Sequence, residues 1–191
     1  MKKRAYISVF DKDGIVEFAK ELVTKQNYEI ISTGGTFKLL KDNSITVTEV
    51  SEVTGYPEML HGKVKSLHPE IFAGILADMT NPTEIREIEL NQVKTFDMVV
   101  VNLYPFEEVA SKTNNIDELI KNIDIGGVSL LRAAAKNYKN VTVICDKADY
   151  DKVLADENIE LKQKLAIKAF AATSNYDGVI GTKLSEVFGI G

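Results

Sequence analysis

Met98-Val-Val-Val-Asn-Leu-Tyr-Pro105 is the stretch that decides the fold. Met98–Val101 is apolar without alternation, the pattern of a strand covered on both faces at the centre of a parallel sheet. Outward from it, Ala5–Phe10 is another short apolar run that meets Asp11-Lys-Asp-Gly14. Ile15, Phe18, Ala19, Leu22 and Val23 follow at helical spacing, with Asp13 available as an N-cap. Tyr28–Ser32 is a β-rich run ended by Thr33-Gly-Gly-Thr36; Phe37–Lys41 reads as a short helix and Thr46–Val50 as a third strand. The order βαβαβ predicts an α/β fold, a parallel sheet flanked by helices on both faces.

Further along, Ser51–Pro69 holds Gly55, Pro57, Gly62 and Pro69 and reads as a long functional loop. Glu70–Ala77 fits helix or strand, and Asn81-Pro-Thr83 starts a polar helix running towards Gln92. Asn115–Lys121 and Gly127–Asn137 read as helices and Val141–Cys145 as a strand; Ala148–Leu154 and Leu161–Tyr176 close the chain helically. No repeat or linker interrupts this order, so residues 1–191 are expected to form one domain.

Composition is that of a soluble globular protein, with 45% apolar and 27% charged residues. The formal charge of -5 offers no global field for nucleic acid or an anionic membrane. A phosphate site must therefore be a local cluster of cations, which favours a small anionic metabolite. The single cysteine, Cys145, sits in an apolar run and reads as a buried hydrophobe. No apolar stretch approaches the ~20 residues of a membrane span. Met1-Lys-Lys-Arg leads into a first strand instead of an export signal, so the protein is expected to be cytoplasmic.

Four polar constellations fall where such a sheet would gather them. Leu60-His-Gly-Lys-Val-Lys-Ser-Leu-His-Pro69 has cations and a hydroxyl but no apolar periodicity, which points to an anionic ligand. Thr33-Gly-Gly-Thr36, between strand and helix, lets backbone N–H groups approach a phosphate; it also reads as a plain turn with a threonine N-cap. Asn102-Leu-Tyr-Pro105 lies beyond the carboxyl end of a strand, where open parallel sheets bind ligands, or is merely a strand-ending turn. In the segment Asp124–Lys136, Ser129, Arg132 and Lys136 share a wedge of about 60° on one helix, opposite its apolar face. Asp124 precedes that helix, where the dipole stabilises a carboxylate; a solvated stripe behind a helix-end acid is the plainer reading. His61 and His68 lack the company of a metal site.

Taken together, Gly34-Gly-Thr36, Gly62-Lys-Val-Lys-Ser-Leu-His-Pro69, Asn102-Leu-Tyr-Pro-Phe106 and Asp124-Ile-Gly-Gly-Val-Ser-Leu-Leu-Arg-Ala-Ala-Ala-Lys-Asn137 closely resemble the IMP cyclohydrolase domain of the bifunctional AICAR transformylase/IMP cyclohydrolase family of purine biosynthesis. Ser8-Val-Phe-Asp-Lys12, Gly55-Tyr-Pro-Glu-Met59 and Lys168-Ala-Phe170 also match, so the resemblance runs from about Ala5 to Tyr176. It implies the methylglyoxal-synthase-like fold and dehydrative ring closure of 5-formamidoimidazole-4-carboxamide ribotide (FAICAR) to IMP, with no metal or organic cofactor. It also implies a homodimer and a transformylase, fused or separate, as functional neighbour. With the transformylase domain absent, the chain is expected to cyclise but not formylate.

By the same resemblance Lys65, Tyr104, Asp124 and Lys136 are the catalytic candidates. Lys65, with backbone N–H groups near Ser66, is assigned to the formyl oxygen, Asp124 and Tyr104 to proton movement at the carboxamide, and Lys136 to charge or proton supply. The phosphate is expected near Lys12, Thr33, Gly35 and Thr36 with Ser8, Lys63 and Ser66 adjacent, and the base or sugar near Asn102 and Gly126. Lys63 and Ser66 stand where arginine and threonine are common in the family. Lysine keeps the charge without the bidentate fork. A non-catalytic nucleotide-sensing module of the same fold fits the phosphate residues equally well but has no use for the four catalytic candidates. Methylglyoxal synthesis, a third possibility, does not account for the basic loop.

Overall fold

The structure, a computed structural model, describes residues 2–190; Met1 and Gly191, the ends of the expected domain, lie outside the described residues. Its strands are β1 (Lys3–Val9), β2 (Tyr28–Ser32), β3 (Val47–Glu49), β4 (Met98–Asn102) and β5 (Thr142–Ile144). The helices are α1 (Ile15–Lys25), α2 (Gly34–Asp42), α3 (Val50–Thr54), α4 (Pro69–Leu76), α5 (Pro82–Leu90), α6 (Phe106–Ala110), α7 (Ile116–Lys121), α8 (Gly126–Lys136), α9 (Tyr150–Ala155) and α10 (Ile159–Phe188).

All strand pairs are parallel, in the order β3-β2-β1-β4-β5. The middle strand is thus β1, not β4; β4 still lies between two neighbours, and Met98–Val101 are all buried. From β1 the chain steps outward to β2 and β3, then returns to the other side of β1 as β4. Right-handed crossovers in opposite directions put their helices on opposite faces. Accordingly α1 packs with α2 and α9, while α8 packs with α4 and α10. The reversal also opens a crevice at the carboxyl ends of β1 and β4. There the register sets Ser8 beside Val101 and Val9 beside Asn102, with Ile7 beside Ser32 on the other flank.

Several expectations change at element ends. Gly14, not Asp13, occupies the N-cap of α1, in a left-handed conformation (φ 71°) that costs glycine nothing. Asp13 instead accepts an ion pair from Lys147 at 2.8 Å. Val50 begins α3 instead of ending β3, because Glu49 and Glu52 form a reciprocal capping box. Glu70–Ala77 resolves as helix, capped by His68 Nδ1, which accepts the Glu70 amide at 3.2 Å. The closing helix continues through Tyr176 to Phe188.

The main core fills both faces of the sheet. A separate small cluster of Phe106, Ala110, Leu119 and Tyr176, joined by Leu103, Ile123, Val128 and Val179, packs α6, α7 and α10 together beside the crevice. Among the described residues no helix is long and apolar enough to cross a membrane.

Candidate active site

Two of the expected ligand residues use their side chains to build the floor of the crevice. The Thr36 hydroxyl donates to the Val9 carbonyl (3.0 Å) and accepts the Val9 amide (3.1 Å), pinning α2 to the end of β1. Its capacity is spent on backbone, and it does not line the cavity. The Asn102 side chain accepts the Phe10 and Asp11 amides and donates to the Asp11 carbonyl at 3.2 Å. It lines the cavity, but its main work is to hold the β1–α1 loop in place.

Thr33 behaves differently. It occupies the N-cap position of α2, yet its hydroxyl makes no capping hydrogen bond. The residue is 6% exposed, the hydroxyl has no partner, and it lines the cavity. A buried hydroxyl without a partner costs about 1–3 kcal/mol. The plain reading of a threonine cap therefore fails, and a group that awaits an acceptor takes its place. The first amides of α2, at Gly34, Gly35 and Thr36, have no partner within the helix and carry its positive dipole end.

Two ammonium groups flank this corner. A Cβ on Gly34 would lie 3.3 Å from Lys65 Nζ, and one on Gly35 would lie 3.9 Å from Lys12 Cε. Lys12 donates to the Val9 carbonyl and, at 3.2 Å, to that of Phe10; burial holds its pKa below the usual lysine range. Gly35 itself lies beside the cavity, not on its wall.

The basic loop is folded back by three successive left-handed residues, Leu60 (φ 52°), His61 (φ 56°) and Gly62 (φ 82°). Such backbone in non-glycine residues is strained and clusters at functional sites. Its effect is to turn Lys63, Lys65 and Ser66 towards the cavity, with His61. Gly62 is needed for space as well: a Cβ there would meet Glu58 Oε1 at 3.0 Å and Lys65 Nζ at 3.3 Å. Ser66 is hydrogen-bonded to the hydroxyl of Tyr6, a buried β1 residue whose pKa burial pushes well above the usual range.

Asp124 enters from the segment between α7 and α8. One carboxylate oxygen accepts the Gly127 amide at 2.8 Å. Burial nevertheless raises its pKa, outweighing the backbone amides of Gly127 and Gly126, which favour the charged form. A Cβ on Gly127 would sit 2.4 Å from Asp124 Oδ2, so only glycine leaves the carboxylate room. Tyr104 is 43% exposed and packs on Phe10 with ring centroids 4.4 Å apart.

The cavity is about 730 Å³ and is lined by Ser8, Lys12, Thr33, Lys63, Lys65, Ser66, Asn102, Tyr104, Asp124 and Gly126 among the expected residues. That is ample for a mononucleotide. Lys136 is not brought in: it is exposed at the other end of α8, about 15 Å along the axis from Gly126. Helical periodicity places it on a face with Ser129 but says nothing of distance along that face. The lining also takes in residues that were not anticipated, among them Phe10, His61 and Lys121, and Tyr176 behind Asp124 was not anticipated either. Among the described residues no three of His, Cys, Asp or Glu converge as metal ligands would.

A family model described as an MGS-like domain matches residues 14–129, and one described as the AICARFT/IMPCHase bienzyme matches residues 134–189. The chain is 48% identical over 196 residues to the bifunctional purine biosynthesis protein PurH of Persephonella marina, covering 100% of this chain and 38% of that protein. To PurH of Caldicellulosiruptor saccharolyticus it is 52% identical over 187 residues, covering 94% and 36%. It thus spans well under half the length of these curated relatives. A solved structure described as that of ForH superposes with a TM-score of 0.81 at 28% identity, covering 98% of this chain and 100% of that one. The first match takes in strands β2 to β4 and most of the residues that line the cavity, and the second covers the end of α8 through α10: the chain belongs to the MGS-like domain family, in the branch that carries the AICARFT/IMPCHase bienzyme match.

Proposed function

We propose that this chain is an IMP cyclohydrolase, closing the formamide arm of FAICAR onto its carboxamide in purine biosynthesis. The observation that carries this reading is a single cavity with an unpartnered, buried Thr33 hydroxyl at the start of α2 and a desolvated Asp124 carboxyl in another wall. The first suits a phosphate and the second suits proton transfer; simple phosphate capture would need only the first. The AICARFT/IMPCHase match and the PurH relatives point the same way.

In this reading the ribotide phosphate accepts from the α2 amides and Thr33, with Lys12 and Lys63 adding charge. The heterocycle then extends across the carboxyl ends of β1 and β4 towards Asp124. Neighbouring strands lie about 4.8 Å apart, so a span of two strands matches the reach of a ribotide. The carboxamide nitrogen attacks the formyl carbon, and the formyl oxygen becomes a hydroxyl. Water leaves with that oxygen, one proton from the carboxamide nitrogen and one from the formamide nitrogen. Asp124 takes a proton from the attacking nitrogen, and Tyr104 donates towards the departing oxygen. Lys65, on a flexible four-carbon stem beside α2, stabilises the oxyanion. Both reacting arms belong to one molecule, so holding them in contact supplies much of the rate. Lys136 is given no step within the subunit.

Purified protein supplied with FAICAR, chelator and no folate should form IMP, followed by the absorbance of the closed ring. No conversion under these conditions refutes the assignment. Thr33→Val is expected to keep or raise the thermal midpoint, because it removes an unpartnered hydroxyl. It should weaken IMP binding about 10- to 100-fold, the loss of one hydrogen bond to a charged group. Isothermal titration reads this, and unchanged affinity would remove Thr33 from the phosphate site.

We further propose a cytoplasmic homodimer with a transformylase, fused or separate, as neighbour. Phe10, Leu60, Ile120 and Ile125 are exposed apolar side chains around the cavity mouth, which supports a second copy packing there. Sedimentation equilibrium showing a monomer at micromolar concentration would remove that assignment.

A further inference from the structure

Asp124 lies in the link between α7 and α8, and its neighbours explain how such a segment stays fixed. The Tyr176 hydroxyl accepts the Asp124 amide at 2.8 Å and is 3.4 Å from the Asn122 carbonyl, to which it donates. Tyr176 is 7% exposed and comes from α10, 52 residues away in sequence. Its ring meets Phe106 edge-on, centroids 6.3 Å apart, inside the small cluster beside the crevice. Phe106 in turn donates its amide to the Tyr104 carbonyl at 2.8 Å. One phenol therefore braces the two segments that carry Asp124 and Tyr104.

We infer that Tyr176 is a positioning residue of this site: its hydroxyl fixes the Asn122–Asp124 backbone and so aims the Asp124 side chain into the cavity. It does not line the cavity and touches no reacting atom. Its effect on rate rests on the cyclohydrolase reading; its effect on the segment does not. The geometry makes the role specific to the oxygen. The ring alone would fill the same space, and the cluster retains Phe106, Leu119 and Val179 without it.

Tyr176→Phe removes that oxygen and keeps the ring. Val179→Ala thins the same cluster and leaves the hydroxyl in place, so it reports what lost packing alone does. Hydrogen exchange should show the Asp124 amide opening at least 10-fold faster in Tyr176→Phe and within about 3-fold of wild type in Val179→Ala. Turnover of FAICAR should fall about 10- to 100-fold in Tyr176→Phe with KM within twofold, since sub-ångström misplacement of a reacting group acts on the chemical step. Val179→Ala should lower the thermal midpoint yet keep kcat within twofold. The inference is overturned if the Asp124 amide exchanges at the wild-type rate in Tyr176→Phe. It is equally overturned if Val179→Ala reproduces both effects. Because exchange is read without substrate, an inactive wild type counts against the cyclohydrolase reading alone.

Discussion

Asp124→Asn is expected to lose about 10²- to 10⁴-fold in kcat, the usual range for removing a positioned acid or base. Asparagine keeps an oxygen to accept the Gly127 amide, so the turn into α8 should survive. Binding of IMP should change little, because the phosphate corner lies on α2. Stability should move the other way. The folded-state pKa of Asp124 is raised by burial, so the fold favours its neutral form. That contribution is fully present below the ordinary carboxylate pKa and is lost as pH rises through the raised folded value. At pH 7.5 the always-neutral asparagine should therefore melt at a higher temperature than wild type, and the difference should vanish in acid. The acidic limb of kcat against pH should also be absent from the variant. Wild-type turnover would remove Asp124 from the chemistry, and equal melting at both pH values would remove the desolvated carboxylate.

Lys65→Ala is the second large effect, a fall of about 10²- to 10³-fold in kcat/KM, as for loss of one oxyanion donor. The side chain belongs to a polar loop, and its ammonium lies over Gly34 and Gly62, not within the core, so circular dichroism and thermal midpoint should stay normal. Lys65→Arg should recover only part of the activity. The guanidinium is planar and larger, and the space between Gly34 and Gly62 is already filled to van der Waals contact. Near wild-type turnover of well-folded Lys65→Ala would take this lysine out of the mechanism.

How much the sequence revealed depends on the kind of information each residue carries. Met98–Val101 was legible because an unbroken apolar run has one economical home, an interior parallel strand. Thr33 was legible as a residue type in the right turn, but not as an unpartnered group. Thr36, three residues on, has the same hydroxyl and points it at Val9. Which of two threonines faces a ligand depends on the packing of α2 against β1, which local sequence does not encode. Asn102 was placed correctly at the strand end, yet its amide is engaged by a loop 91 and 92 residues earlier in the chain. Lys136 shows the reverse, for helical phase fixed its face and left its distance from the cavity within the subunit open. Tyr176 was invisible, since nothing in a helical stripe announces one hydroxyl reaching a loop 52 residues distant. The apolar stripe that marks α10 stops at Tyr176, and the helix continues beyond it through Gly178 and Gly181 to Phe188.

In the proposed binding mode one cavity holds a ribotide with its phosphate on the first turn of α2 and its heterocycle beside Asp124. A crystal structure of the IMP complex tests it most directly. Phosphate oxygens are expected within about 3 Å of Thr33 Oγ1 and the α2 amides, and the purine ring within hydrogen-bond reach of the Asp124 segment. IMP bound elsewhere, or with its phosphate turned towards Asp124, would contradict it.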